Sequence, residues 1–123
     1  MRIFKTKWLA RFARHEKVTD SSLWEAIARA EQGLVDADLG GGIIKQRVAR
    51  QGKGRSGGYR MIVAYRARGR AVFLYAFAKN ERENIGSEEL VELRNVGQNW
   101  LNALPPKIAQ AIEDGALEEV DHD

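Results

Sequence analysis

The stretch Ile43-Ile44-Lys45-Gln46-Arg47-Val48-Ala49-Arg50 decides the fold class, because the hydrophobic period of the chain changes there from helical to extended. Ile44 and Val48 share one side of a strand, and Lys45, Arg47 and Ala49 share the other. Two more β-rich runs follow, Tyr59 to Arg66 and Ala71 to Ala78, with Arg68-Gly69-Arg70 as the turn between them. Three sequential strands with short joins predict an antiparallel meander. One face would pack on helices, and the other could face water and carry charge.

Upstream, Lys7 to Glu16 reads as a helix with Trp8, Leu9, Phe12 and Ala13 on one face, after a short strand at Arg2–Phe4. A second helix is expected from Ser22, where Ser22-Leu23-Trp24-Glu25 fits a capping box. Its stripe is Leu23, Ile27, Ala30 and Leu34, and Gly33 ends it. Downstream, a third helix starts near Ser87, with Glu88 and Glu89 where the helix dipole favours anions. Its stripe runs Leu90, Leu93, Gly97, Trp100, Leu101 and Leu104, and Pro105 stops it. Pro105 or Pro106 opens a short fourth helix through Ile112, with Gly115 as terminator and Leu117 to Val120 as a further strand. The fold class is therefore α+β: an N-terminal helix pair on a small antiparallel meander sheet, followed by C-terminal helices. Residues 1–123 form one domain, with an acidic tail at 113–123.

At 123 residues, 44% hydrophobic and 30% charged, the chain is ordinary globular material. The longest apolar run, Ala71 to Ala78, has eight residues, far short of the roughly 20 of a membrane span. Charge interrupts the N-terminal segment, so no signal peptide is expected. Cysteine is absent, which excludes disulfide scaffolds, cysteine-based zinc sites and thiol nucleophiles. The expectation is a cytoplasmic protein with no cofactor, no metal and no membrane partner, whose chemistry falls to Lys, Arg, Glu, Asp, Tyr or Ser.

The net charge of +3 conceals a strong partition. Residues 1–42 carry +1, residues 43–82 carry +10 from eleven cations and the single acid Glu81, and residues 83–123 carry −8. The cationic block coincides with the three strands. Within it, Gly52-Lys53-Gly54-Arg55-Ser56-Gly57 satisfies the dinucleotide pattern GxGxxG. That motif needs a helix after it, whereas the β-rich Tyr59 to Tyr65 follows here, so a Rossmann site is rejected. A plain hairpin loop remains open. So does a loop whose Lys53 and Arg55 close on a phosphate backbone.

Lys45 and Arg47 point the same way, Arg60 lies on the next strand, and Lys79 and Arg82 follow the third. A meander brings them together on one surface, at a cost in repulsion that mere solvation does not require. Tyrosines 59, 65 and 75 and phenylalanines 73 and 77 interleave with them, as core or as stacking faces for a single-stranded nucleic acid.

Three ordered motifs carry a resemblance: Lys45-Gln46-Arg47-Val48, then Ser56-Gly57-Gly58-Tyr59-Arg60, then Phe77-Ala78-Lys79-Asn80-Glu81-Arg82. Together with Gly33 to Gly41, this set is similar to the RelE/HigB branch of bacterial toxin–antitoxin toxins. The resemblance implies an endoribonuclease acting on messenger RNA in the ribosomal A site. It also implies neutralisation by a cognate antitoxin, often of helix-turn-helix type. Lys45 and Arg47 match the family's basic pair on the first long strand, Arg60 the arginine of its Gly-Tyr-Arg motif, and Lys79 and Arg82 the basic cluster after the third strand. Asn80 stands where RelE has an arginine, and Ile85-Gly86-Ser87 replaces the segment that carries its tyrosine.

Cleavage by the RNA's own 2′-hydroxyl needs a base, cations for the phosphorane and an acid for the leaving 5′-oxygen. Arginine forks suit the phosphorane. A lysine serves as base where nearby positive charge disfavours its protonated form, and Lys45 is the candidate. Glu81 is the rival base or a salt-bridge partner. Arg60 and Arg82 are expected to stabilise the phosphorane, and Arg47 or Lys79 to anchor phosphates. Arg50, Lys53, Arg55 and Tyr59 are expected to bind RNA. Two other readings stay open at this level, a ParE-like inhibitor of DNA gyrase and a non-catalytic RNA- or DNA-binding module. The acidic tail is read as solvated, or else as folding back over the basic face.

Overall fold

Alternation from residue 37 to residue 78 builds four consecutive antiparallel strands: β2 (Ala37–Gly40), β3 (Ile43–Arg50), β4 (Gly54–Arg66) and β5 (Arg70–Ala78). The computed structural model describes residues 1–50, 54–78 and 85–122, with backbone alone for 54–56. Before the meander come β1 (Arg2–Thr6), α1 (Lys7–Glu16) and α2 (Asp20–Glu31). After it come α3 (Ser87–Asn102), α4 (Pro105–Glu113) and β6 (Leu117–Glu119). Among the described residues the sheet has six strands in the order β2-β3-β4-β5-β1-β6. The α+β class and the helix pair are as read, but the sheet is mixed, because β1 joins β5 in parallel. Hydrophobic alternation reports which face a residue takes and is silent on strand direction.

The larger difference is that helices cover both faces. Leu9, Ala13, Leu23, Ala26, Ile27 and Ala30 of α1 and α2 pack against Ile44, Val48, Met61, Val63 and Phe73. On the opposite side Leu101 and Ile108 of α3 and α4 pack with Phe4, Ile43, Ile62, Val72 and Leu74. The runs Met61–Ala64 and Ala71–Leu74 are buried residue by residue, as strands covered on both sides must be. Gly97 lets α3 approach the sheet: a Cβ there would stand 2.5 Å from Ile43 Cδ1 and 3.1 Å from Ala64 Cβ.

Three local expectations shift. Helix α2 begins at Asp20, because Thr19, not Ser22, is the N-cap: its hydroxyl accepts from the Ser22 amide at 3.1 Å. Leu34 lies beyond the end of α2 and is 58% exposed, outside the stripe expected for it. The acidic tail forms an ordered edge. Strand β6 pairs antiparallel with β1, Trp24 Nε1 donates to the Val120 carbonyl at 3.2 Å, and the Asp121 amide donates to Asp20 at 2.9 Å. Four strand spacings, about 19 Å, separate β6 from β3, so residues 117–120 do not lie over the basic strands.

Candidate nucleic-acid interface

Strand register assembles the site. Arg47 of β3 stands directly opposite Arg60 of β4, which stands opposite Phe77 of β5. The parallel row is Lys45, Ile62 and Tyr75. Period two puts both rows on the α3 side of the sheet. The register thus sets two arginines directly opposite one another across β3 and β4. No ion pair engages the Lys45 or Arg47 side chain among the described residues. Arg47 is exposed and Lys45 half-buried. Arg60 is only 8% exposed, with Nη1 3.5 Å from the Gly58 carbonyl.

The backbone at Arg47 is held by side chains in place of a strand. Strand β2 begins at Ala37 opposite Lys45, so among the described residues the edge of β3 beyond that point has no strand partner on that side. Asp36 Oδ2 accepts from the Arg47 amide at 2.7 Å, and the Arg29 guanidinium donates to the Arg47 carbonyl. Arg29 also reaches Asp36 Oδ2 at 3.3 Å and Glu25 at 2.9 Å, which closes the clamp. Next to it Gln46 is fully buried. It accepts from the Asp36 amide at 2.7 Å and donates to the Ala26 and Leu34 carbonyls at 2.9 and 3.2 Å. Sequence reasoning missed this clamp, whose only signal was an acid four positions before Gly40 with a polar residue on the core side of β3.

The expected residues divide. Lys45, Arg47 and Arg60 come together. Tyr59 does not join them: it is 2% exposed on the α1 side, edge-on to Phe12 with ring centroids 5.0 Å apart, and its hydroxyl donates to Glu16. Arg50 goes with Tyr59, its guanidinium carbon 5.5 Å from that ring's centroid. Odd and even positions of one strand cannot share a face, and Arg60 and Tyr59 are adjacent. Lys53, Lys79, Glu81 and Arg82, with the departure at Asn80, lie outside the described residues, as does the side chain of Arg55.

The cationic block also serves structural ends. Arg66 donates to the Leu101 carbonyl at 2.8 Å, and Arg70 to the Trp100 and Ala103 carbonyls at 2.7 and 2.8 Å. These are the orphan carbonyls at the C-terminal end of α3, where the helix dipole favours cations. Arg68 sits at the hairpin turn with φ 58° and its amide against Glu31. Three of the eleven cations therefore belong to the opposite end of β4 and β5.

On the α1 side, the Tyr59 hydroxyl, and after it His15, hold the Glu16 carboxyl below its ordinary value. A carboxyl depressed in the folded state stabilises the fold above its unfolded value. That contribution disappears as pH falls through the folded value. Tyr59→Phe should therefore lower the urea midpoint at neutral pH, with a difference that shrinks below about pH 4. Equal losses at pH 7 and pH 3 would contradict this coupling.

Among the described residues no cluster of three or more His, Asp or Glu could hold a metal ion, and no helix is long and apolar enough to cross a membrane. What the fold defines is a helix-covered mixed sheet that displays cations across two adjacent strands at one end. Residues 1–120 match the family described as the RelE toxin of the RelE/RelB toxin–antitoxin system, and the chain belongs to that family. It is thus a toxin of a toxin–antitoxin system, and the family implies an antitoxin partner. A search of curated proteins finds no match.

Proposed function

We propose that this toxin is a ribosome-dependent endoribonuclease of the RelE/HigB type, cutting messenger RNA in the A site by attack of the 2′-hydroxyl on the adjacent phosphate. One observation carries the reading. Arg47 and Arg60 oppose one another across β3 and β4, with Lys45 on the same face and no described acid paired to Lys45 or Arg47. Exposed Arg47 with half-buried Lys45 beside it offers positive charge to an anion, and a phosphorane carries more negative charge than the phosphate from which it forms. Lys45 removes the 2′-hydroxyl proton, the 2′-oxygen bonds to phosphorus as the P–O5′ bond breaks, and the 5′-oxygen leaves with a proton taken from water, giving a 2′,3′-cyclic phosphate and a 5′-hydroxyl. Arg60 takes the developing charge, and Arg47 anchors a flanking phosphate. Arg82 shares the charge, Lys79 is a second anchor, and Glu81 is the competing base. No metal or cofactor enters the scheme. The antitoxin, of helix-turn-helix type, silences the toxin in the cytoplasm.

The test is primer extension on a reporter mRNA after induction of the toxin, with and without the antitoxin. Discrete new 5′ ends within the translated region, lost on antitoxin co-expression, are expected. Intact mRNA with arrested growth would sink the reading. If a DNA-damage response then preceded the loss of translation, the protein would instead act on gyrase.

A further inference from the structure

Trp8 was expected on the buried stripe of α1, yet it is 46% exposed, while its neighbours Leu9 and Ala10 are fully buried. Its position follows from the edge of β5. Strand β1 pairs with β5 only as far as Phe73, so the stretch from Leu74 to Ala78 has no strand on that side among the described residues. The chain enters α1 straight from β1. Thr6 caps the helix by accepting from the Leu9 amide at 3.2 Å, and its hydroxyl donates to the Leu74 carbonyl at 3.4 Å. The indole is thereby set against Tyr75, with ring centroids 4.6 Å apart, and Phe12 stacks on it at 5.5 Å. Tyr75 in turn lies 6.3 Å from the Phe77 ring.

Tyr75 stands on the face that carries Lys45, Arg47 and Arg60, two strand spacings or about 10 Å from Lys45. We propose that Trp8 and Tyr75 form a rigid aromatic shelf on which a base of the bound RNA strand stacks while its backbone runs over Arg47 and Arg60. The shelf rests on the RNA-cutting reading of this face and adds its base-contacting part. Single strands bring unpaired π-faces as well as phosphates, and a site that holds them provides aromatic surface beside its cations. A cover for the edge of β5 alone would be served by a buried ring. Half of this indole faces solvent on a framework already fixed by Phe12 and Thr6.

The shelf is tested by binding of a fluorescent single-stranded oligoribonucleotide, 2′-O-methylated throughout to block cleavage, over a range of salt concentrations. Trp8→Ala should weaken binding roughly 5- to 100-fold with an unchanged salt slope, since stacking releases no counterions. Trp8→Phe should recover most of the affinity and so separates stacking from misfolding. Arg47→Ala should weaken binding and reduce the slope by about 0.7. Trp8→Ala affinity within twofold of wild type, with Arg47→Ala weakened, overturns the shelf and leaves the cationic face standing. If neither variant changes binding, both the shelf and the RNA-binding face are overturned.

Discussion

Arg60→Ala is expected to lower the rate of mRNA cleavage on the ribosome by about 10² to 10³, the cost of removing one preorganised donor from a transition-state oxyanion. The size follows from where the guanidinium sits. It is only 8% exposed, so it is held on a strand in a partly dehydrated setting where a charge acts more strongly than in water. It stands opposite Arg47 across β3 and β4, so in the proposed reaction the alanine variant leaves Arg47 in place while depriving the phosphorane of its fork. Arg60→Lys should fall between the two, because it keeps the charge and loses the bidentate geometry. Single-turnover cleavage of a programmed ribosome measures the effect, with circular dichroism confirming the fold. Wild-type cleavage by Arg60→Ala would remove Arg60 from the mechanism.

How much of this was legible in the sequence depends on what each residue's signal encodes. Periodicity reports faces, so alternation groups Lys45 with Arg47, while Arg60 was added from the meander, and the register places it opposite Arg47. The same rule should have separated Tyr59 from Arg60. Their shared motif drew them together instead, although adjacent strand residues point to opposite faces. Strand β2 escaped notice because Ala37 to Gly40 is too short and glycine-flanked to show a period. The charge of +10 read as one surface, but Arg66 and Arg70 cap α3. A cation at a helix C-terminus and a cation awaiting a phosphate look identical until topology says which lies near. Trp8 shows the converse: its helical spacing was that of a core residue, but β1 pairs with β5 only as far as Phe73, and the indole beyond that point is 46% exposed.

Gln46 gives the largest expected effect on stability, and it bears on the site as well. Its amide is fully buried and makes three hydrogen bonds, to the Asp36 amide and to the Ala26 and Leu34 carbonyls. Gln46→Met preserves the length of the side chain and removes all three. Only the bond to Ala26 is fully buried: stranding that carbonyl costs about 1–3 kcal/mol, and losing the two part-buried bonds costs about 0.5–1.5 kcal/mol each, so a loss of about 2–6 kcal/mol is expected. A loss of that size is a large fraction of the stability of a domain this small, so the urea midpoint should fall steeply. The consequence reaches Arg47 by a short route. Gln46 fixes the Asp36 backbone, and the Asp36 carboxylate with Arg29 fixes the Arg47 amide and carbonyl where β2 has not yet begun. Asp36→Ala cuts the route one step later and leaves the Gln46 bonds in place. It should therefore cost less stability than Gln46→Met while weakening RNA binding by displacing Arg47. A Gln46→Met protein within 1 kcal/mol of wild type would show that the buried amide is dispensable. The chain from core to cation would then break at its first link.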